Sequence, residues 1–220
     1  MRSAIIFCGG GAARLEVEVP PGAFVVAADS GLAEANRLGV PVDLLVGDMD
    51  SVRPSDLDAY ERAGGEVQRH PEDKDATDLD LAISAAIVAG ASRLTVVGGD
   101  GGRLDHLLGN ALLLASPPYA AVEIDGVFGG ARVHVVRRRR DLTGTPDELV
   151  SLFALGGPAE GVGTEGLRWP LEHATLEPGS TLGISNRFLA DRAAVTVAGG
   201  VVLVVRPGEE ESRDGWPVVG

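Results

Sequence analysis

The first half of the chain alternates short apolar runs with amphipathic segments. Continuous apolar runs are typical of strands buried in a parallel sheet, whereas apolar residues every three or four positions are typical of helices. Strands are predicted at residues 4–8, 23–28, 42–46, 66–70, 94–97 and 121–124, and helices at residues 30–38, 54–63, 75–89 and 103–115. The alternation predicts a three-layer α/β domain over residues 1–125, with a parallel sheet and helices on both faces. In the last helix, Leu104, Leu107 and Leu108 are expected to face inward.

Helical periodicity disappears beyond residue 126, and short β-rich runs separated by Gly, Pro and charged turns take its place. These runs cover residues 132–136, 149–155, 180–184, 193–197 and 201–205. They predict an antiparallel β-sandwich over residues 126–206. The arginine run 137–140 is interpreted as a solvated hairpin turn, with a phosphate-binding role as the alternative. Residues 207–220 are expected to form a flexible acidic tail.

Composition narrows the class of protein. The chain has 220 residues, is 45% hydrophobic and carries a formal net charge of −13. This apolar content supports a sizeable core, and the acidic balance disfavours a nucleic-acid-binding surface. No window is long and apolar enough to suggest a membrane span. The single cysteine, Cys8, lies in an apolar run and cannot form an internal disulfide, which fits a reducing compartment. We therefore expect a cytoplasmic protein with neither a nucleic-acid nor a membrane partner.

Polar turns directly follow several of the predicted strands. They comprise residues 29–31 (Asp-Ser-Gly), 47–51 (Gly-Asp-Met-Asp-Ser) and the glycine-rich residues 98–103. The carboxyl ends of parallel strands meet at one edge of a sheet, and this edge is where such sheets bind ligands. Three acidic or glycine-rich turns are therefore expected to converge there.

Asp48 and Asp50 lie two positions apart, where a strand ends. Alternation along an extended backbone places both carboxylates on the same side, where they repel each other unless a cation lies between them. Oxygen ligands favour Mg²⁺. An ordinary polar turn is the alternative, because Gly and Asp are common turn residues.

A helix start at residues 74–78 adds further oxygen ligands. Asp75 or Thr77 can cap this helix, and Asp75 and Asp78 share one of its faces. One of these carboxylates could join Asp48 and Asp50 around a metal, while Thr77 and free backbone N–H groups hold phosphate oxygens.

The glycine-rich turn lets backbone N–H groups approach a phosphate closely, although it matches neither the Walker A nor the dinucleotide-binding motif. Arg103 can bind a phosphate through two hydrogen bonds, and Asp105, His106 and Asn110 lie on the helix that follows. Together with the acidic turns, this set indicates Mg²⁺-dependent phosphoryl or nucleotidyl transfer.

These motifs, taken in order, resemble those of the thiamine pyrophosphokinases. In the first half the resemblance rests on residues 29–31, 47–51, 75–78 and 98–106. In the second half, residues 164–171 and 183–186 resemble the thiamine-binding domain of that family. Ser30 stands where the family commonly has Gly, and Met49 where Phe is frequent; neither change removes a ligand.

The resemblance implies an enzyme that transfers a diphosphate from ATP to the hydroxyethyl group of thiamine, giving thiamine diphosphate and AMP with Mg²⁺. It also implies a homodimer whose active site lies at the subunit interface. On this resemblance, Asp48, Asp50 and Asp78 bind metal, and nucleotide binding falls to Asp75, Thr77, Gly101, Gly102, Arg103 and Asn110. Asp29, Arg103 and Asp105 are the catalytic candidates, and Ser185, Asn186 and Trp169 lie on the thiamine side.

Some alternatives stay open at this point. Asp29 and Asp105 are both candidates for accepting the hydroxyl proton, and Trp169 could instead fill the core of the sandwich. A pyrophosphokinase acting on another hydroxymethyl acceptor, such as a pterin, is a second hypothesis, which residues 164–171 and 185–186 argue against. A non-catalytic regulator that binds a nucleotide or thiamine is a third hypothesis. The full acidic set argues against it.

Overall fold

The apolar runs of the first half form strands, and the amphipathic segments between them form helices. The structure is a computed structural model, and it describes residues 2–11, 13, 16–73, 75–99, 101 and 103–208. These residues divide into two units. The first unit comprises the residues up to 113 together with 121–129, and the second comprises residues 114–120 together with those from 130 onward.

The elements of the first half are β1 (Arg2–Cys8), β2 (Phe24–Ala28), α1 (Gly31–Arg37), β3 (Leu44–Gly47), α2 (Pro54–Arg62), β4 (Glu66–Arg69), α3 (Asp78–Val88), β5 (Ala91–Val97), α4 (Leu104–Leu114), a 3₁₀ turn (Pro117–Tyr119) and β6 (Glu123–Phe128).

The six strands of the first unit form a parallel sheet in the order β6-β5-β1-β2-β3-β4. Strand β1 is central, and Ile5, Ile6 and Phe7 are fully buried because helices cover the sheet. Ala35 of α1 packs with Ile5 and Phe7, and α3 packs on the strands from β1 to β3 and on β5. The predicted three-layer α/β fold is confirmed.

The second unit is a sandwich of two antiparallel sheets. Its strands are β7 (Ala131–Val136), β8 (Arg139–Thr143), β9 (Leu149–Ala154), β10 (Ala159–Glu165), β11 (Ala174–Leu176), β12 (Asn186–Arg187), β13 (Arg192–Thr196) and β14 (Val202–Arg206). One sheet has the order β12-β9-β14-β7, and the other has the order β11-β10-β13-β8. Buried side chains from both sheets, such as Leu152 and Val195, share one core. The predicted β-sandwich is confirmed, whereas the division at residue 125 stays a prediction and the tail from residue 209 lies outside the described residues.

The predicted strand at residues 180–184 is wrong. This segment is a turn, because Gly183 (φ +93°) and Ser185 (φ +58°) adopt left-handed backbone conformations that a strand does not accommodate. The prediction that Leu104 and Leu108 face inward is also wrong, since these side chains are 69% and 54% exposed. Helix α4 instead turns the face that carries Asp105, Gly109 and Leu113 toward a cavity.

The arginine run is divided between a turn and a strand. Residues 137 and 138 form the bend, and β8 begins at Arg139. The half-buried Arg137 guanidinium donates hydrogen bonds to the carbonyl oxygens of Leu114, Ala115 and Ser116, at 3.2–3.4 Å. It thereby binds the carbonyl group of Leu114, the last residue of α4, and those of the two residues that follow the helix. Burial lowers the pKa of Arg137.

None of the helices in the described ranges has the length and apolar character needed to cross a bilayer.

Candidate active site

Three carboxylates meet where β2 and β3 end. Asp29, Asp48 and Asp50 each offer an oxygen atom, and these atoms lie within 4.8 Å of one another. Asp29 directly follows β2 and is 5% exposed, Asp48 is half-buried, and Asp50 is exposed. The parallel sheet therefore brings the two predicted acidic turns together, as expected for turns at one edge.

The turn after β3 holds these carboxylates in place. Met49 adopts a left-handed backbone (φ +70°), and its side chain packs with Ala27, Leu32 and Leu45. Its backbone N–H donates to Asp29 Oδ1 at 3.0 Å, and the Ser51 hydroxyl donates to Asp29 Oδ2. Met49 therefore anchors the turn in the core, while the neighbouring acidic residues stay accessible to solvent.

The surroundings of Asp29 raise the pKa of its carboxyl group above the ordinary value. Burial raises its pKa most strongly, the hydrogen bond from Ser51 opposes that shift, and the charges of Asp78, Asp48 and Asp50 raise the pKa further. A buried carboxylate among like charges is unfavourable unless a proton or a cation neutralises it. The charges of Asp48, Asp50 and Asp78 thus act on Asp29, and of these residues Asp48 and Asp50 have an oxygen atom within 4.8 Å of it.

The donor set fits a divalent metal ion of the Mg²⁺ type. All three members of the group are carboxylates, and hard cations such as Mg²⁺ prefer oxygen ligands. Because the neighbouring carboxylates repel the charge of Asp29, a bound cation stabilises the ionised form of the site. Asp78, the other predicted metal ligand, is close enough to raise the pKa of Asp29.

A cavity of about 540 Å³ lies beside this group, and the start of α3 forms part of its wall. Asp75, Thr77 and Asp78, all predicted site residues, line the cavity. Thr77 is the N-cap of α3, since its hydroxyl oxygen accepts a hydrogen bond from Asp80 N at 3.2 Å. This cap leaves the Thr77 hydroxyl hydrogen available to a ligand.

Glycine-rich backbone forms another part of the wall. Gly10 and Gly101 are packed so closely that a Cβ atom on Gly101 would lie 1.3 Å from the Gly10 carbonyl oxygen. Asn110 Nδ2 donates to Gly99 O at 3.1 Å, so Asn110 holds the loop in addition to lining the cavity. Glycine residues in a cavity wall let backbone N–H groups approach a bound phosphate closely. Gly102, also a predicted nucleotide ligand, lies outside the described residues.

Arg103 and Asp105 form an ion pair at the cavity. Arg103 Nη2 and Nε contact the two carboxylate oxygens of Asp105 at 2.6 and 3.2 Å. The hydrogen bond from Arg103 is the main cause that lowers the pKa of Asp105 to about 2. Asp105 is therefore a much weaker proton acceptor than Asp29, whose pKa is raised.

Sequence reasoning missed the loop after β1. Gly9 and Gly10 line the cavity, although residues 9–11 were not among the predicted site residues. The position of this run after a central parallel strand was the signal that could have identified it. Ser51, part of a predicted motif without a role of its own, also lines the cavity and holds Asp29.

In the second unit, the structure brings Trp169 and Asn186 together. Trp169 is 55% exposed, so the alternative that it fills the sandwich core is wrong. Asn186 is 2% exposed and bonds to the backbone of Trp169. Ser185 is exposed, and its backbone N–H donates to Ser151 Oγ at 3.0 Å.

Fold and site together define a class of protein. An α/β unit with carboxylates and glycine-rich loops at the carboxyl edge of its sheet is typical of enzymes that bind phosphorylated ligands. The family model of the thiamin pyrophosphokinase catalytic domain matches residues 19–124, and that of the thiamin pyrophosphokinase vitamin B1 binding domain matches residues 133–202. The chain therefore belongs to the thiamine pyrophosphokinase family of enzymes.

Individual relatives agree with this assignment. The thiamine pyrophosphokinase of Bacillus subtilis is 27% identical over an alignment of 178 residues, and the match spans 76% of this chain and 78% of that protein. Thiamine pyrophosphokinase 1 of Oryza sativa is 27% identical over 174 residues, and the match spans 73% of this chain and 64% of the rice protein. The crystal structure of the Bacillus subtilis enzyme shares the fold, with a TM-score of 0.82 at 22% identity over 94% of this chain and all of that one.

Proposed function

We propose that the chain transfers a diphosphate group from ATP to the hydroxyethyl group of thiamine, giving thiamine diphosphate and AMP with Mg²⁺. The observation that carries this proposal is the group of Asp29, Asp48 and Asp50 beside a glycine-lined cavity, in a chain of this family. Thiamine is the proposed acceptor because the relatives are thiamine pyrophosphokinases.

Asp48, Asp50 and Asp78 are the predicted metal ligands, and Asp29 lies beside Asp48 and Asp50 in the same group of carboxylates. When bound, Mg²⁺ supplies positive charge that neutralises the polyphosphate and the charge that develops during transfer. The carboxylates fix the position of this charge at the edge of the sheet.

The nucleotide binds in the cavity of the first unit. Backbone near Gly10 and Gly101 approaches the phosphates, because neither residue has a side chain to keep them away. Thr77 donates its hydroxyl hydrogen to a phosphate oxygen. Arg103, which is exposed, keeps its hydrogen bonds to Asp105 through Nε and Nη2, while its Nη1 donates to the phosphate and stabilises the transition state.

Asp29 accepts the proton of the attacking hydroxyl group in this scheme. Its raised pKa makes it the stronger base, whereas Asp105 has a pKa of about 2. Its bonds to Met49 and Ser51 fix the orientation of the carboxylate.

The second unit supplies the acceptor site through Ser185, Asn186 and Trp169. The exposed indole of Trp169 offers a flat surface for the aromatic rings of thiamine. We further propose a cytoplasmic homodimer with the active site at the subunit interface, as in the family that the sequence resembles.

The proposal is tested by incubating the purified chain with ATP, Mg²⁺ and either thiamine or a hydroxymethyl pterin. AMP that appears only with thiamine supports the proposal, and AMP that appears only with the pterin replaces it with the second hypothesis. ATP binding without product from either acceptor would indicate a regulator. Ser185→Ala should raise the KM for thiamine more than the KM for ATP; equal effects would remove Ser185 from the acceptor site.

A further inference from the structure

The loop that carries Trp169 runs beside β12 as a short antiparallel ladder. Two backbone hydrogen bonds, each 2.9 Å long, join residues 166–168 to residues 187–189. A bridge between Leu167 and Phe188 lies between these bonds. Pro170 has no backbone N–H with which to extend the ladder. Another group must therefore hold the backbone of Trp169.

Asn186 supplies that group through its side chain. Its Oδ1 accepts a hydrogen bond from Trp169 N at 3.1 Å, and its Nδ2 donates to Trp169 O at 2.7 Å. Oδ1 also accepts from Arg187 N at 2.8 Å, which uses both acceptor positions of this oxygen. The primary amide acts as a substitute peptide group, since it offers a donor and an acceptor in one plane.

Thr164 anchors the other side of the loop. Its Oγ1 accepts a hydrogen bond from Leu171 N at 2.8 Å, and its backbone N–H donates to Leu171 O at 3.0 Å. Thr164 is 8% exposed, so this contact is shielded from competing water. The backbone is thus fixed at Trp169 itself and two residues beyond it, although the indole is exposed.

We propose that Asn186 and Thr164 are positioning residues that hold the Trp169 loop so that the indole forms a preorganised surface for an aromatic acceptor. A surface fixed before binding loses less conformational entropy when the ligand stacks on it. This inference rests on the proposed function, in which thiamine binds at Trp169. It also changes the role of Asn186, which acts through Trp169 and uses its amide oxygen entirely on backbone donors.

The test uses the full chain with Trp216→Phe, which leaves Trp169 as the only tryptophan. In this parent, Asn186→Leu keeps a similar shape without the amide, Thr164→Val removes the hydroxyl, and Thr164→Ser retains it. The readouts are the fluorescence anisotropy of Trp169, quenching of that fluorescence by thiamine, the two KM values and kcat.

Asn186→Leu and Thr164→Val should both lower the anisotropy of Trp169, because the ring moves more freely. We expect both to weaken thiamine binding about tenfold, while the KM for ATP and the kcat at saturating thiamine change by less than about twofold. Thr164→Ser should match the parent in every readout. This selective change in KM distinguishes positioning from general loss of structure.

Parental anisotropy and thiamine affinity in both Asn186→Leu and Thr164→Val would overturn the inference. If Asn186→Leu does not fold, the matched pair Thr164→Val and Thr164→Ser decides. A parent that neither binds thiamine nor forms thiamine diphosphate would refute the proposed function instead. The anisotropies would then still show whether the two anchors hold Trp169.

Discussion

Replacing Asp29 with Asn should stabilise the metal-free protein while abolishing most of its activity. Asn keeps the shape of the side chain, can still accept the hydrogen bond from Met49 N, and can donate to Ser51 Oγ. It removes a buried negative charge that lies among the charges of Asp48, Asp50 and Asp78.

The size of the effect follows from the separation of the carboxylates. At 4.8 Å, two unit charges repel each other by about 0.9 kcal/mol in water and about 3.5 kcal/mol at an effective dielectric constant of 20. Because Asp48 is half-buried and Asp50 exposed, the value near that of water applies, which gives about 2 kcal/mol for the two pairs. Weaker hydrogen bonds to a neutral side chain offset about half of this, leaving a net gain of about 1 kcal/mol.

Urea unfolding followed by circular dichroism, in buffer containing a chelator and near neutral pH, measures this gain. Asp58→Asn is the matched control, because Asp58 lies on α2 with its side chain 67% exposed and the substitution makes the same change in net charge. The control should shift the free energy of unfolding by no more than about 0.5 kcal/mol. Added Mg²⁺ should stabilise the wild-type protein more than Asp29→Asn. A metal-free Asp29→Asn protein less stable than wild type would refute the argument from repulsion.

Three further predictions follow from the contacts and the charges. Glu34→Gln should lower the free energy of unfolding by about 1 kcal/mol near neutral pH. The hydrogen bond from Arg37 lowers the pKa of Glu34, so the ionised Glu34 stabilises the fold fully above the ordinary Glu pKa of 4.5. The difference in unfolding free energy between wild type and Glu34→Gln should therefore shrink as the pH falls through the lowered pKa of Glu34. Gly101→Ala should abolish activity, because the new Cβ atom would overlap the backbone of Gly10. Gly109 lines the same cavity, but a Cβ atom there would have no atom within 4 Å, so Gly109→Ala should retain activity in the same assay. Equal activities of the two variants would contradict the tight packing at Gly101. Asp50→Asn should lower kcat about 100-fold or more if it helps to hold the metal, and near-native turnover would remove Asp50 from the site.

The α/β fold and the acidic edge were predictable because they depend on local pattern. Continuous apolar runs marked the strands, and Asp48 and Asp50 stood directly after one of them. The sheet topology also placed Asp29 at this edge, but the hydrogen bonds that orient its carboxylate come from Met49 and Ser51, some twenty residues away in the chain. Sequence spacing does not encode such contacts.

The second unit differed more from the sequence predictions, because several of its contacts also join residues that are distant in the chain. The bond between Asn186 and the backbone of Trp169 spans seventeen residues and has no periodic signature. Arg137 caps a helix that ends more than twenty residues earlier, which a run of four arginines does not reveal. Turns with left-handed backbone at Gly183 and Ser185 replaced a predicted strand.

The central claim, diphosphate transfer from ATP to thiamine, is tested most directly by following ATP labelled at its β-phosphorus. With Mg²⁺ and thiamine, the label should appear in thiamine diphosphate, accompanied by an equal amount of unlabelled AMP. Labelled ADP together with thiamine monophosphate, or no thiamine-dependent loss of ATP, would contradict the account.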